Sequence, residues 1–149
     1  VEHPDVFSLD IDGNDFWVLA NLGPFMPRLL VCEYNNRFAA DEFVTIPYTE
    51  PFRWDGTCFY GASQRAMHWL AGRYGMALVY GEKTGTNMFF VERSLAHHFE
   101  HADQWEKLYF GTRWSHREDP QNRAFIRLDW RTMEACGRGV QETIALARA

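Results

Sequence analysis

Along the first two thirds of the chain, apolar residues gather into short runs, each closed by a cluster of polar or turn-forming residues. Val6 to Ile11 (VFSLDI) ends in Asp12-Gly13-Asn14-Asp15, the pattern of a buried strand leaving its sheet through a turn. Phe16 to Leu22 follows, with Asn14 or Asp15 positioned to cap a helix, Gly23 to stop it, and Pro24 and Pro27 to forbid its continuation. Arg28 to Glu33 (RLLVCE) is a second apolar strand, and it too exits into polar residues, Glu33-Tyr34-Asn35-Asn36. From Ser63 to Tyr74 the positions Ala66, Met67, Leu70, Ala71 and Tyr74 recur at helical spacing, with Ser63 as the cap and Gly75 as the stop. Met76 to Tyr80 and Asn87 to Glu92 are β-rich and flank Gly81 to Thr86, which predicts an antiparallel hairpin that ends the sheet.

The remainder is less periodic. Arg37 to Tyr60 is aromatic, contains Pro47, Pro51 and Gly56, and is longer than an ordinary connection, as binding loops and lids often are. Ser94 can cap a helix through Trp105; residues 109 to 132 mix aromatic and arginine side chains without a period, and 139 to 148 predict a last short helix. Strand, helix, strand, helix, hairpin is an α/β order in which the first two strands are joined by a crossover and lie parallel. Ligands of such sheets sit beyond the carboxyl ends of the strands, where both acidic clusters fall. The organisation read from this pattern is an α/β unit over 1–95 and a helical or irregular extension over 96–149.

Composition narrows the function classes. A length of 149 residues, 46% hydrophobic and 23% charged, fits one globular unit, and the 16% of aromatic residues leaves rings to line a pocket. The formal charge of −5 argues against a phosphate-neutralising surface, so no nucleic-acid partner is expected. No apolar run approaches the roughly 20 residues of a membrane span. Cys32, Cys58 and Cys136 are odd in number and widely spaced, which argues against a disulfide framework or zinc knuckle and for a reducing cytoplasm. The first residue is Val1, so the chain reads as a portion of something longer.

Asp10 and Asp12 are two residues apart, so on an extended chain both carboxylates point to one side, and two like charges that close favour a cation between them. Glu33 and Asn35 repeat that spacing at the exit of the neighbouring strand, about 4.8 Å away in a sheet. Oxygen donors without His or Cys suit a hard ion, Mg²⁺ or Mn²⁺, whose other positions go to water or substrate. The plainer alternative is a turn at Asp12 to Asp15 and a solvated Glu33. Trp54, Asp55, Tyr60 and Ser63 precede the second helix, whose free N–H groups could meet an acidic or hydroxyl-rich substrate; the plainer alternative is a helix entry with its aromatics packed over the sheet. His97, His98 and His101 contain an i, i+4 pair but no accompanying acid motif, and read as a solvated face. His68 and Lys83 are conceivable bases without partners.

The segments Asp5 to Leu19, Pro27 to Asn35, Trp54-Asp-Gly-Thr and Tyr60-Gly-Ala-Ser, in this order and spacing, resemble the second half of an FkbM-like, S-adenosylmethionine-dependent methyltransferase over roughly residues 5 to 95. The resemblance implies a partial Rossmann-like class I methyltransferase sheet of two parallel strands and a C-terminal antiparallel hairpin with flanking helices. It implies S-adenosylmethionine as cofactor and methylation of a hydroxyl on a sugar or small natural product. In metal-dependent relatives an Asp after the fourth strand and an acid plus Asn after the fifth hold Mg²⁺; Asp10 or Asp12, Glu33 and Asn35 stand in those places, with one extra residue between Glu33 and Asn35. Asp10 and Asp12 would then be catalytic. The glycine-rich loop and acidic ribose-binding residue of such enzymes have no counterpart here, so the donor's cradle, and cover for the first strand's outer edge, would come from an N-terminal half or a second copy. Two other readings stand beside this one. Leu9-Asp-Ile-Asp-Gly resembles the DxDG nucleophile motif of haloacid-dehalogenase-like phosphatases, with a DxD glycosyltransferase as a weaker relative, and a half-sheet could persist as a non-catalytic interaction module.

Overall fold

The computed structural model describes residues 3–111 and 116–128. Its main sheet contains β1 (Val6–Leu9), β2 (Leu29–Glu33), β4 (Met76–Gly81) and β5 (Asn87–Glu92), in the spatial order β1-β2-β5-β4. The first pair is parallel, with Val6 opposite Leu29 and Leu9 opposite Cys32, and the other two pairs are antiparallel. The molecule is therefore α/β with a mixed sheet. The hairpin closes the sheet as expected, but its second strand turns back between β2 and the first.

Two short helices cover one face. α1 (Asp15–Ala20) buries Phe16, Trp17 and Leu19, and the Trp17 indole N–H donates to the Ile46 carbonyl at 2.9 Å. It ends two residues earlier than the Gly23 stop predicts, because Asn21 donates its side-chain amide to the Trp17 carbonyl and its backbone N–H to Val18. α2 (Gln64–Arg73) starts at Ser63, whose hydroxyl accepts from the Ala66 N–H, and buries Ala66, Met67, Leu70 and Ala71. Gly75, at φ 75°, supplies the left-handed residue that lets the chain leave α2 for β4. These helices and the inward residues Leu9, Leu30, Cys32, Leu78, Met88 and Phe90 form the core.

The long connection after β2 is ordered rather than loose. It contains β3 (Val44–Thr45), which pairs antiparallel with β6 (Ile126–Arg127) in a separate two-stranded sheet. Strands of two residues carry no periodicity, so neither was legible in the pattern.

The expected helix from Ser94 through Trp105 does not form. Arg93–His98 is a 3-10 helix, and the chain then turns. Asp103 explains the break: it adopts φ 59°, its N–H donates to the Leu78 carbonyl, and its carboxylate accepts from the Leu78 N–H and from Arg93. That carboxylate serves as a partner for the outer edge of β4, a contact that a continuous helix could not make. The described part of the extension thus covers β4, the edge opposite β1. The expected helix at 139 to 148 lies outside the described residues.

Candidate functional site

β1 stops at Leu9, two residues before the apolar run ends, because Asp15 gathers the following turn. Its carboxylate accepts from the Ile11 N–H at 3.0 Å and the Gly13 N–H at 2.9 Å. Asp12 between them takes φ 57°, a left-handed conformation that Asp tolerates better than most residues. Asp10 and Asp12 do share a side, but through this turn and not through the pleat of an extended strand. Gly13 lies against the Phe52 ring so closely that a β-carbon there would come within 2.1 Å of it. The turn is therefore held from below by Asp15 and from the side by Phe52.

The parallel register sets Glu33, the last residue of β2, beside this turn. One carboxylate oxygen each from Asp10, Asp12 and Glu33 can be chosen so that all lie within 4.8 Å of one another. Asp10 and Asp12 are exposed and Glu33 is half-buried. Burial first, then the charges of Asp10, Asp15 and Asp12, push the Glu33 carboxyl up to about 8. Its Oε2 is buried and without a hydrogen-bond partner. Asp15 is also raised by burial, against the lowering effect of its N–H donors. Among the described residues none of these four carboxylates forms an ion pair. These acids meet no cation among the described residues, and the donor set is what a hard divalent cation prefers.

Asn35 is occupied otherwise. Its amide NH₂ donates to the carbonyls of Cys58 at 3.0 Å and Tyr60 at 2.8 Å, and its oxygen accepts from the Arg37 N–H. The side chain braces the exit of β2 against the 58–62 segment, a buried role for which the two-residue spacing from Glu33 holds no signal.

The four expected substrate contacts separate into two kinds. Trp54 and Tyr60 pack edge to face at 6.0 Å, and both rings meet His116. Burial and the nearby Glu33 carboxylate raise the Tyr60 phenol, which ties this ring cluster to the acidic rim. Asp55 instead closes a turn: it accepts from the Thr57 hydroxyl and pairs with Arg123, both at 2.6 Å. Ser63 is buried and caps α2.

Among the described residues the acidic trio is the one group of three His, Cys, Asp or Glu side chains that converges. His97 and His98 stack on each other, outside any such group. His68 is engaged at both ring nitrogens, by Arg65 and by Asp103, and burial lowers it below the usual imidazole value. Lys83 is exposed on the hairpin turn. No described helix is long and apolar enough to cross a membrane.

The fold and rim together define an α/β chain carrying three convergent carboxylates beyond the ends of two parallel strands. In comparisons with known proteins it matches no family, no curated protein and no solved structure.

Proposed function

We propose that this chain is the cation-holding C-terminal portion of an S-adenosylmethionine-dependent methyltransferase similar to the FkbM-like family, acting on a hydroxyl of a sugar or small natural product. The observation that carries this reading is the convergence of Asp10, Asp12 and Glu33 oxygens beyond the ends of adjacent parallel strands. A sheet of two parallel strands completed by an antiparallel pair is also what the resemblance calls for. The chain's residues fit a divalent ion: the donors are all carboxylate oxygens, Oε2 of Glu33 is otherwise orphaned, and the trio has no cation paired to it among the described residues. Mg²⁺ or Mn²⁺ held there would lower the pKa of an acceptor hydroxyl and fix its position. Asp10 and Asp12 would supply the open side of that site and Glu33 its buried side, with Tyr60 near Glu33 and Trp54 packed on Tyr60.

The same fit test fails for the methyl donor, since no segment of the sequence supplies the glycine-rich loop or the ribose-binding acid. Donor binding is accordingly assigned to a preceding half or a second copy, which would also cover the edge of β1. Cys32 and Cys58 are buried and free, which supports a reducing, cytoplasmic setting.

Titrating the chain with Mn²⁺, followed by loss of the free-ion electron paramagnetic resonance signal, tests the ion site. Asp12→Asn and Glu33→Gln should each weaken binding by roughly tenfold or more, about 1.4 kcal/mol. Unchanged affinity in both variants would remove the ion from the rim. Transfer of a labelled methyl group to a hydroxyl acceptor, with the donor-binding half present, tests the reaction. A beryllium fluoride adduct on Asp10 would move the assignment to a phosphatase.

A further inference from the structure

Beside the acidic turn lies a groove that no part of the reading above uses. Pro47, Pro51, Phe52, Phe59 and Arg123 are among the residues that line it, around a volume of about 410 Å³. That volume falls within the range of small-molecule sites, and apolar walls with few charged groups are their usual lining.

The groove and the rim share structure. Phe52 packs on Gly13, next to Asp12, and the Asn14 amide donates to the Thr49 carbonyl at 2.8 Å. Phe52 and Thr49 thus belong both to the groove and to the surroundings of the turn that carries Asp12.

Its two cations differ. Arg123 stacks over the Phe59 ring at 4.3 Å and is gripped by Asp55 at 2.6 Å and Asp119 at 3.0 Å, so two carboxylates already compensate its charge. Arg53 lines the same groove, is exposed, and has neither an ion pair nor a hydrogen bond among the described residues. In a chain of net charge −5 whose neighbouring rim is acidic, a free arginine on an apolar groove marks where negative charge is accepted.

We infer that this groove binds a small molecule with a flat apolar body and an oxyanion, carboxylate or phosphate, paired with Arg53, leaving its hydroxyl toward the acidic turn. The inference deepens the proposed function by naming the class of acceptor, and it rests on that reading for the hydroxyl's fate. The binding itself requires neither metal nor methyl donor, so it can fail or succeed separately from the Mn²⁺ titration.

The probes are 4-hydroxybenzoate, 4-hydroxyphenyl phosphate and the uncharged 4-hydroxybenzamide, observed by saturation-transfer nuclear magnetic resonance and titrated against the chain without added metal. At least one of the two anions should bind more tightly than the amide. Arg53→Gln should weaken that anion roughly fivefold, the upper end for an exposed charge pair, and Arg53→Lys should restore most of the loss. The amide should be indifferent to both changes. Whichever anion shows the Arg53 dependence identifies the group that is read. If neither binds at millimolar concentration, or if Arg53→Gln leaves both affinities unchanged while circular dichroism shows an intact fold, the inference is wrong.

Discussion

Glu33 concentrates the chemistry of the rim in one side chain. Its carboxyl titrates at about 8 in the folded chain against 4.5 when unconstrained, because burial and three neighbouring carboxylates resist a further negative charge. The sign of the stability effect follows by linkage. Below about 4.5 both states are protonated; between 4.5 and 8 the unfolded chain releases the proton and the folded chain keeps it, so stability falls as pH rises through that window. Thermal melts of Glu33→Gln should therefore gain most over the natural chain near pH 8 and least near pH 4, with Mn²⁺ narrowing the gap at the higher pH. A gain that is the same at both pH values would remove Glu33 from the charge cluster. Asp15 makes a different contribution: its carboxylate is spent on two N–H groups, and so it shapes the turn that presents Asp12.

The elements that matter most to the site are short, and side-chain hydrogen bonds define their limits. Ser63 was expected both to cap α2 and to meet a substrate; it does cap the helix, its hydroxyl accepting from the Ala66 N–H that starts it and also from the Val44 N–H of β3. Ser63→Ala would leave both buried N–H groups short of a partner and should cost about 2 kcal/mol or more, measured by chemical denaturation. Ligand affinity of the fraction that remains folded should not change. Sequence patterning located this helix and the Asn87–Glu92 strand well, since Met67, Leu70 and Ala71 repeat at 3.6 and the hairpin is flanked by turn residues. It failed for 94–105, where the helix expected from the Ser94 cap is broken by Asp103 bonding to the edge of β4. It failed also for β3 and β6, which exist only through each other.

For the molecule as a whole, the sheet is finished unevenly. α1 and α2 cover one face, while Leu29, Val79, Phe89 and Val91 of the other line a shallow groove of about 430 Å³ with Leu95 and Phe99 at its margin. β1 pairs with β2 alone among the described residues, and Val6 on it is 59% exposed. An edge strand with neither charge nor cover among the described residues invites pairing with another chain. The chain by itself should therefore sediment as a concentration-dependent mixture with a second copy, and Val6→Lys should shift it toward monomer. A single species unaffected by concentration would show that the β1 edge needs no cover.

Alternating and helical hydrophobic periods, with their bounding glycines and prolines, are local properties, so the residues alone determined that β1 and β2 are strands, that α2 is a helix, and that acids gather at both strand exits. Which acids cooperate was not local. Asp10, Asp12 and Glu33 converge because a parallel register, a left-handed Asp12 and the Asp15 anchor coincide, whereas Asn35, at the same spacing from Glu33, is drawn away by the Cys58 and Tyr60 carbonyls. The groove beside them is built from Phe52, Arg53, Phe59 and Arg123, which only folding brings together, because a cavity is a relation between distant walls.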